Sequence, residues 1–410
     1  MRYTKIANIY SVGAVLIAVF ILSCCSARHK TVKAEDTVGA VSRDESSSYQ
    51  QMTNFNDQNI RRLKAKLAQS DDNLIHIVQL GDSHTAADFF TGELRQRFQQ
   101  QYGNGGIGFV SPLSVPGQRY DNIRLLSNRQ DWSLETSRKS QGDFPLAGNV
   151  AFPSKPNASV TLSPDMLGKY EVSALYKAEK ASFVTTLTAG NSTSGIELPS
   201  TGGKWKFSAT QTFSLPMTFS IPQGNSLGGW FVSSSRQHGG VVSALGTNGA
   251  VIDIWNKWSP NWMDTLKQLN PDLVIIAYGT NEAFNQKLDI GKYKQSLESK
   301  IATIRSQVPD AVILILSPGS SLKNKNAAGC SSMQPPKLTQ VIEVQKEVAS
   351  RYNTLFWNWF DYMGGDCSIV KWAANNDAQP DMVHLSQSGY KKSADEFYRQ
   401  FIYMLNSSGR

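Results

Sequence analysis

Apolar residues recur along this chain in two different rhythms, and the change between them divides the sequence. In residues 52–117 and again in residues 235–410, short continuous apolar runs alternate with segments in which an apolar residue recurs every three or four positions. Continuous runs predict the buried strands of a parallel sheet, and the helical period predicts amphipathic helices covering both faces. We therefore predict an α/β domain of three layers, α/β/α, built from these two parts.

The predicted strands of this domain are four apolar runs, LIHIVQL (74–80), DLVIIAY (272–278), AVILILS (311–317) and LFWNWF (355–360). A helix is predicted after the first run, where Phe90, Leu94 and Phe98 recur at every fourth residue. The last helix is predicted from a similar stripe that runs from Tyr390 to Leu405. In such sheets, binding and catalytic residues lie at the carboxyl ends of the strands.

Residues 118–234 differ in composition and periodicity, with more Ser, Thr, Gly and Pro and with apolar residues at alternate positions. The clearest alternation runs from Phe213 to Ile221. A period of two between turn-rich breaks predicts antiparallel strands with one buried face, and several of these make a β-sandwich. We predict that this module is inserted into the α/β domain.

The first 51 residues are expected to lie outside both domains. Arg2 and Lys5 precede an apolar run that ends at Ser23-Cys24-Cys25, so residues 1–25 are predicted to be an export signal. Lipidation at Cys24, simple cleavage and an uncleaved anchor all remain open, and residues 26–51 read as a polar tether. A lipoprotein or a cleaved periplasmic protein is favoured, and each outcome places the folded body outside the cytoplasm.

The composition and charge of the chain limit the classes of function that it can have. The 410 residues carry a diffuse net charge of +8, without the basic and aromatic clusters of a nucleic-acid surface. The charge therefore predicts no nucleic-acid partner, and it leaves open an attraction to an anionic envelope polymer. Two cysteines, Cys330 and Cys367, remain after the signal and could pair in an oxidising compartment. The glycine-rich stretch 103–108 lacks the Lys-Ser/Thr of a phosphate loop and is expected to be structural.

Candidate chemistry begins where the first strand ends, at Gly81-Asp82-Ser83. A serine between a strand and a helix lies beside free backbone N–H groups, which favour the oxyanion that its attack creates. Near the C-terminus, Asp381 precedes His384 by three residues, so its carboxylate can hold the imidazole. Serine, aspartate and histidine occur in the order found in several unrelated hydrolases.

Four blocks in this order resemble those of the SGNH (GDSL-type) hydrolases: Gly81-Asp82-Ser83, Gly249, Gly279-Thr280-Asn281 and Asp381-x-x-His384. The longer string GDSHTAADFF and the predicted insert are most similar to the peptidoglycan O-acetylesterases of Gram-negative envelopes. The resemblance implies a flavodoxin-like central parallel sheet and an inserted module like those that bind carbohydrate.

The resemblance also implies the roles of individual residues. Ser83 would be the nucleophile, His384 the general base, and Asp381 the group that fixes the histidine tautomer. No metal or other cofactor would be needed. His84 follows the nucleophile, and its place at the helix start is expected to point its ring away from the site.

The oxyanion donors implied by the resemblance are the backbone N–H groups of Ser83 and Gly249 and the side-chain amide of Asn281. The second block is the weakest match, so Gly246 is kept as an alternative to Gly249. Glu282 occupies a position where aspartate is frequent in the family. Asp82 and Glu282 are expected to lie behind the residues that contact the substrate and to hold them in place.

The resulting hypothesis is a monomeric serine esterase that removes O-acetyl groups from peptidoglycan, at C-6 of N-acetylmuramic acid. One alternative is an O-acetyltransferase on the same scaffold, in which a sugar hydroxyl replaces water. A second is a non-catalytic glycan-binding lipoprotein, and a third is an esterase acting on another acetylated polysaccharide.

Overall fold

The computed structural model describes residues 52–156, 158–188 and 191–407. The predicted export signal, the candidate lipidation site at Cys24 and the predicted tether lie outside these residues. Within the described part of the chain, none of the helices is both long and apolar enough to span a bilayer. The cysteines left open by the sequence, Cys330 and Cys367, are joined by a disulfide with their Cα atoms 5.8 Å apart.

The strands, in chain order, are β1 (Met52–Asn54), β2 (Leu74–Gly81), β3 (Gly106–Val110), β4 (Ile123–Ser127), β5 (Trp132–Thr136), β6 (Asn149–Pro153), β7 (Ser159–Pro164), β8 (Gly168–Ala178), β9 (Ser182–Thr188), β10 (Asn191–Leu198), β11 (Lys206–Phe207), β12 (Gln211–Leu215), β13 (Met217–Ser220), β14 (Asn225–Ser234), β15 (Gly239–Gly246), β16 (Leu273–Ala277), β17 (Val312–Leu316) and β18 (Leu355–Trp357). The α-helices are α1 (Ile60–Leu67), α2 (Ser83–Ala86), α3 (Phe89–Tyr102), α4 (Trp262–Leu269), α5 (Thr280–Phe284), α6 (Ile290–Gln307), α7 (Cys330–Met333), α8 (Leu338–Arg351), α9 (Trp359–Met363), α10 (Ile369–Ala374) and α11 (Gln387–Ser407). Two 3₁₀ helices lie at Arg129–Asp131 and Ile252–Lys257.

The central sheet has six strands in the order β1-β18-β17-β16-β2-β15. All neighbours are parallel except β1, which pairs antiparallel with β18 at one edge. The five parallel strands follow the flavodoxin-like order, so the chain reverses its direction of winding around β2. The crevice at such a reversal lies at the carboxyl end of the strand, and here that end is Gly81.

Helices cover both faces of this sheet, and its parallel strands are therefore buried on both sides. One face packs against α1, α3 and α11, whose apolar stripes include Leu94 and Phe397. The other packs against α4, α6 and α8, with Leu266, Ile301 and Val348 fully buried. The predicted three-layer α/β/α domain is confirmed.

The predicted β-sandwich is also confirmed. One antiparallel sheet has the order β10-β9-β13-β7-β4, and the facing sheet contains β11, β8, β14, β6 and β5 together with β12 and β3. Apolar residues from both sheets fill the space between them, among them Val160, Phe219 and Trp230. Strand β3 lies before residue 118, where the insert is predicted to begin, and it pairs with β14.

Three segments differ in detail from what the sequence pattern indicates. The alternating run 213–221 is two strands, since the chain changes sheets at Pro216: β12 pairs with β8, and β13 pairs with β7 and β9. Proline cannot donate to a strand ladder, so a continuous strand is disfavoured there. The run 355–360 is a strand only to Trp357 and then becomes α9. The glycine-rich stretch 103–108 is a loop only in its first part, because β3 begins at Gly106.

Backbone and aromatic contacts join the sandwich to the α/β domain. Phe144 forms a β-bridge with Trp258, and the N–H of Ser259 donates to the Phe144 carbonyl over 2.6 Å. Trp258 packs in turn against Trp255 and Trp262. Buried aromatic and backbone contacts of this kind hold two elements in a fixed geometry.

Candidate active site

Ser83 is presented by a tight turn between β2 and α2. Only glycine fits at Gly81, because a Cβ atom there would overlap the Thr85 hydroxyl and lie 2.7 Å from the Ala277 carbonyl oxygen. Asp82 caps the following turn by accepting a hydrogen bond from the backbone N–H of His84 over 3.0 Å. Ser83 is therefore the second residue beyond the carboxyl end of β2 and the first residue of α2, and it is partly exposed.

The predicted nucleophile, base and orienting carboxylate lie within hydrogen-bonding distance of one another. His384 Nε2 is 2.8 Å from Ser83 Oγ, although 301 positions separate the two residues. His384 Nδ1 is 2.7 Å from Asp381 Oδ2. With Nδ1 protonated toward the carboxylate, Nε2 is free to accept the serine proton.

The loop that carries Asp381 folds back on itself. Asp381 Oδ1 accepts hydrogen bonds from the backbone N–H groups of Val383 and His384, each over 2.9 Å. Met382 follows Asp381 and has a left-handed φ of 60°, which lets the loop close. Burial acts to raise the pKa of Asp381, but these hydrogen bonds and the one from the His384 ring outweigh it and lower the pKa. Asp381 is therefore ionised at neutral pH.

Two of the predicted oxyanion donors, Gly249 and Asn281, lie in the segments that follow β15 and β16. The Asn281 side chain donates to the Ala250 carbonyl over 2.9 Å and lies 3.4 Å from Asp82 Oδ2. It thereby holds the segment containing Gly249 next to the serine turn. Gly249 is exposed, with a left-handed φ of 70°, whereas Gly246 lies buried within β15. This placement favours Gly249 over Gly246 as the donor.

Asn281→Ala is expected to lower kcat by about 100- to 1000-fold with little change in KM, since one oxyanion donor is typically worth that much. Steady-state hydrolysis of a small activated acetyl ester would measure it. Asn285→Ala, at the end of the same short helix, is the control and should retain wild-type kcat. An Asn281→Ala enzyme with wild-type kcat would contradict the predicted role.

Two carboxyl groups lie buried behind the site. Burial raises the pKa of Asp82 to about 6, against hydrogen bonds from the His84 backbone and the Thr280 side chain. Burial also raises the pKa of Glu282 to about 7, and the nearby Asp82 adds to the increase. Glu282 Oε1 accepts from the N–H of Ile252 over 2.7 Å, and so Glu282 supports the loop after Gly249.

These raised values predict how stability depends on pH. The unfolded carboxyl releases its proton near its ordinary pKa of 4.5, whereas the folded Glu282 holds its proton up to about pH 7, so stability falls as the pH rises through this window. Glu282→Gln is expected to reduce the stability lost between pH 5 and pH 8 by on the order of 1–3 kcal/mol. Urea unfolding at both pH values measures it. Exposed Glu343→Gln should leave the wild-type slope unchanged, and an equal slope in Glu282→Gln would refute the expectation.

The His84 ring lies beside the His384 ring, whereas its place at the helix start was expected to point it away from the site. Its ring is buried 5.2 Å from the His384 ring, and its Nδ1 lies 2.8 Å from the Tyr390 hydroxyl. Burial, together with the neighbouring His384, lowers the pKa of His84 to about 3, so this ring is neutral. A neutral ring behind His384 adds packing without adding a competing charge. Sequence reasoning could place His84 next to Ser83 but could not identify the hydroxyl of Tyr390, 306 positions away, as its partner.

A serine just beyond the carboxyl end of a parallel strand, hydrogen-bonded to a histidine that a carboxylate orients, defines an acyl hydrolase of the serine type. The family model described as "GDSL-like Lipase/Acylhydrolase family" matches residues 208–392. The model described as "Peptidoglycan O-acetylesterase, N-terminal" matches residues 105–218. The protein is a serine esterase of the GDSL-like class.

A solved structure of a peptidoglycan O-acetylesterase is 35% identical to this chain, with a TM-score of 0.78. The match covers 87% of this chain and 99% of that one. This chain therefore belongs to the peptidoglycan O-acetylesterase family, and the resemblance drawn from the four sequence blocks is confirmed.

Other solved structures match a smaller share of the chain. A lipase/acylhydrolase from Enterococcus faecalis is 19% identical, with a TM-score of 0.32 and coverage of 40% of this chain and 76% of its own. An acetylxylan esterase from Geobacillus stearothermophilus is 20% identical, with a TM-score of 0.32 and coverage of 40% and 73%. The comparison with curated proteins finds no match.

Proposed function

We propose that this protein removes O-acetyl groups from peptidoglycan, at the C-6 hydroxyl of N-acetylmuramic acid. The observation that carries the proposal is the 2.8 Å contact between Ser83 Oγ and His384 Nε2 in a member of the peptidoglycan O-acetylesterase family. A serine with an assembled base can attack an ester carbonyl without a cofactor. The acetyl group would pass to Ser83 and then to water.

Each step has a residue to perform it. Ser83 Oγ attacks the acetyl carbonyl while His384 Nε2 accepts its proton, and Asp381 stabilises the imidazolium. The N–H groups of Ser83 and Gly249 and the Asn281 amide would bind the oxyanion. His384 then donates the proton to the departing sugar oxygen, and the acetyl-enzyme forms. Water activated by His384 hydrolyses that ester and releases acetate.

Exposure of the base favours hydrolysis over transfer to a sugar. The His384 side chain is 39% exposed and the Asp381 side chain is 49% exposed. Water therefore reaches the group that must activate it, whereas a transferase has to exclude water from its acyl-enzyme.

The substrate places the protein outside the cytoplasm, where peptidoglycan lies. Periplasmic location and a lipid anchor at Cys24 are further proposals that rest on the sequence pattern of residues 1–25.

Acetate release from O-acetylated peptidoglycan tests the proposal, with acetylated xylan as the competing polymer and a soluble chitooligosaccharide as an acetyl acceptor. We expect release from peptidoglycan at a kcat/KM well above that for xylan, and no acetylated acceptor. Preferential release from xylan would instead favour an esterase of another polysaccharide. Acetyl appearing on the acceptor in place of free acetate would identify a transferase.

A further inference from the structure

The β-sandwich contributes a cation to the edge of the site. Arg138 follows β5 of the sandwich, and its Nε and Nη2 atoms would each lie 3.8 Å from a Cβ atom built on Gly249. Gly249 carries one of the predicted oxyanion donors. An element remote from the site in sequence therefore reaches the place where substrate has to bind.

The position of Arg138 is fixed by its neighbour. Ser137 is fully buried, and its N–H donates to the Gly148 carbonyl over 2.8 Å. Its carbonyl accepts a hydrogen bond from Lys257 Nζ over 2.9 Å, which ties the turn to the 3₁₀ helix after Gly249. The backbone of Arg138 is thus anchored to both domains, and its side chain is directed along the surface toward Gly249.

The guanidinium group has no partner within the described part of the chain. Arg138 is exposed, and among the residues that the structure describes no hydrogen bond or ion pair to it is found. Other arginines are paired: Arg95 contacts Asp88 at 3.0 Å and Arg119 contacts Asp121 at 2.9 Å. An arginine held at a binding site without a carboxylate has its planar set of donors available for an anionic ligand.

A groove on the sandwich lies beside the turn that carries Arg138. It has a volume of about 320 Å³, and the turn that carries Arg138 forms part of its wall. Its lining includes Ser114, Pro116, Arg129, Trp132, Glu135 and Lys139. Arg129 and Lys139 outnumber the single carboxylate Glu135 in this lining, so the groove has a positive bias that favours an anionic ligand.

We propose that Arg138 binds a carboxylate of the peptidoglycan substrate and so acts as a specificity-determining residue. Muramic acid carries a lactyl group on the same sugar as the C-6 hydroxyl, and the lactyl carboxyl is either free or linked to a peptide stem that bears carboxylates. Acetylated plant polysaccharides such as xylan lack this peptide stem. The inference rests on the proposed function and names the feature by which the site distinguishes its substrate.

The experiment pairs a change in the protein with a change in the substrate. Wild type, Arg138→Gln and Arg138→Lys are compared on soluble O-acetylated muropeptides, and on the same muropeptides after their carboxylates have been amidated with ammonia and a carbodiimide. We expect Arg138→Gln to lower kcat/KM on the native muropeptide by roughly 10- to 100-fold, mainly through KM, the range of one charge-assisted hydrogen-bonded pair. Amidation should lower wild-type kcat/KM by a similar factor and leave Arg138→Gln unchanged.

Further variants separate this role from others. Arg138→Lys should recover part of the lost preference for the native muropeptide, since it restores the charge without the planar fork. Arg124→Gln removes an exposed arginine from the other sheet of the same module and should behave as wild type. Neutral 4-nitrophenyl acetate should be hydrolysed equally by wild type and Arg138→Gln.

Two results would overturn the inference while leaving the proposed function intact. One is an Arg138→Gln enzyme with wild-type kcat/KM on the native muropeptide. The other is an equal loss on native muropeptide, amidated muropeptide and 4-nitrophenyl acetate, which would mean that the cation acts on the oxyanion. A wild-type protein that releases no acetate from muropeptide would contradict the proposed function itself.

Discussion

Ser83→Ala is expected to lower acetate release by on the order of 10⁵- to 10⁶-fold, close to the background rate. Removing the nucleophile of a serine–histidine pair typically costs this much, because the remaining groups cannot form the acyl-enzyme. The structure supports an effect of this size because Ser83 Oγ lies 2.8 Å from His384 Nε2. A methyl group leaves the base without a proton to accept.

The measurement is the initial rate of acetate release from O-acetylated peptidoglycan, with thermal unfolding of each variant as a check on folding. Ser299→Ala removes an exposed hydroxyl on α6 and serves as the control, with wild-type activity expected. Labelling by a fluorophosphonate should occur in wild type and Ser299→Ala and be absent in Ser83→Ala. Acetate release by folded Ser83→Ala at more than about a hundredth of the wild-type rate would exclude Ser83 as nucleophile.

Asp381→Asn is expected to lower kcat by about 10⁴-fold while leaving the fold unchanged. The asparagine oxygen can still accept from the backbone N–H groups of Val383 and His384, so the loop keeps its shape. Its amide, however, would donate to His384 Nδ1 where the carboxylate accepts. The ring proton would then reside on Nε2, and His384 could not accept the proton of Ser83.

Steady-state kinetics at neutral pH measure this effect, and Asp264→Asn on the exposed side of α4 is the control. Because the pKa of Asp381 is lowered below its usual range, wild-type activity should not change through this group between pH 5 and pH 8. Asp381→Asn should retain a kcat well above that of Ser83→Ala, since the nucleophile and oxyanion donors remain. A loss of less than tenfold in Asp381→Asn would mean that Asp381 does not set the tautomer.

Much of the α/β domain could be predicted because its signals are local. A parallel strand buried on both faces requires a continuous apolar run, and the runs that contain β2, β16 and β17 are visible in one dimension. The turn at Gly81 is equally local, since it needs a residue without a side chain. These features predicted the layers of the fold and the strand end at which Ser83 lies.

The sandwich shows where local signals mislead. The alternation from Phe213 to Ile221 is a valid strand pattern on both sides of Pro216, so periodicity alone cannot detect that β12 and β13 belong to different sheets. Pairing partners distinguish the two strands, and these partners come from distant parts of the chain. The disulfide between Cys330 and Cys367 was left open by the sequence for the same reason.

The sequence by itself determined which chemical groups are present and where each lies along its strand or loop: Ser83 after a buried strand, Asn281 after another, and Asp381 three residues before His384. Only the tertiary structure decided the distances between them, the burial that raises the pKa values of Asp82 and Glu282, and the arrival of Arg138 at Gly249. The physical reason is that periodicity and turn chemistry act over a few residues. Electrostatics and catalysis depend on separations in space, which packing sets between residues hundreds of positions apart.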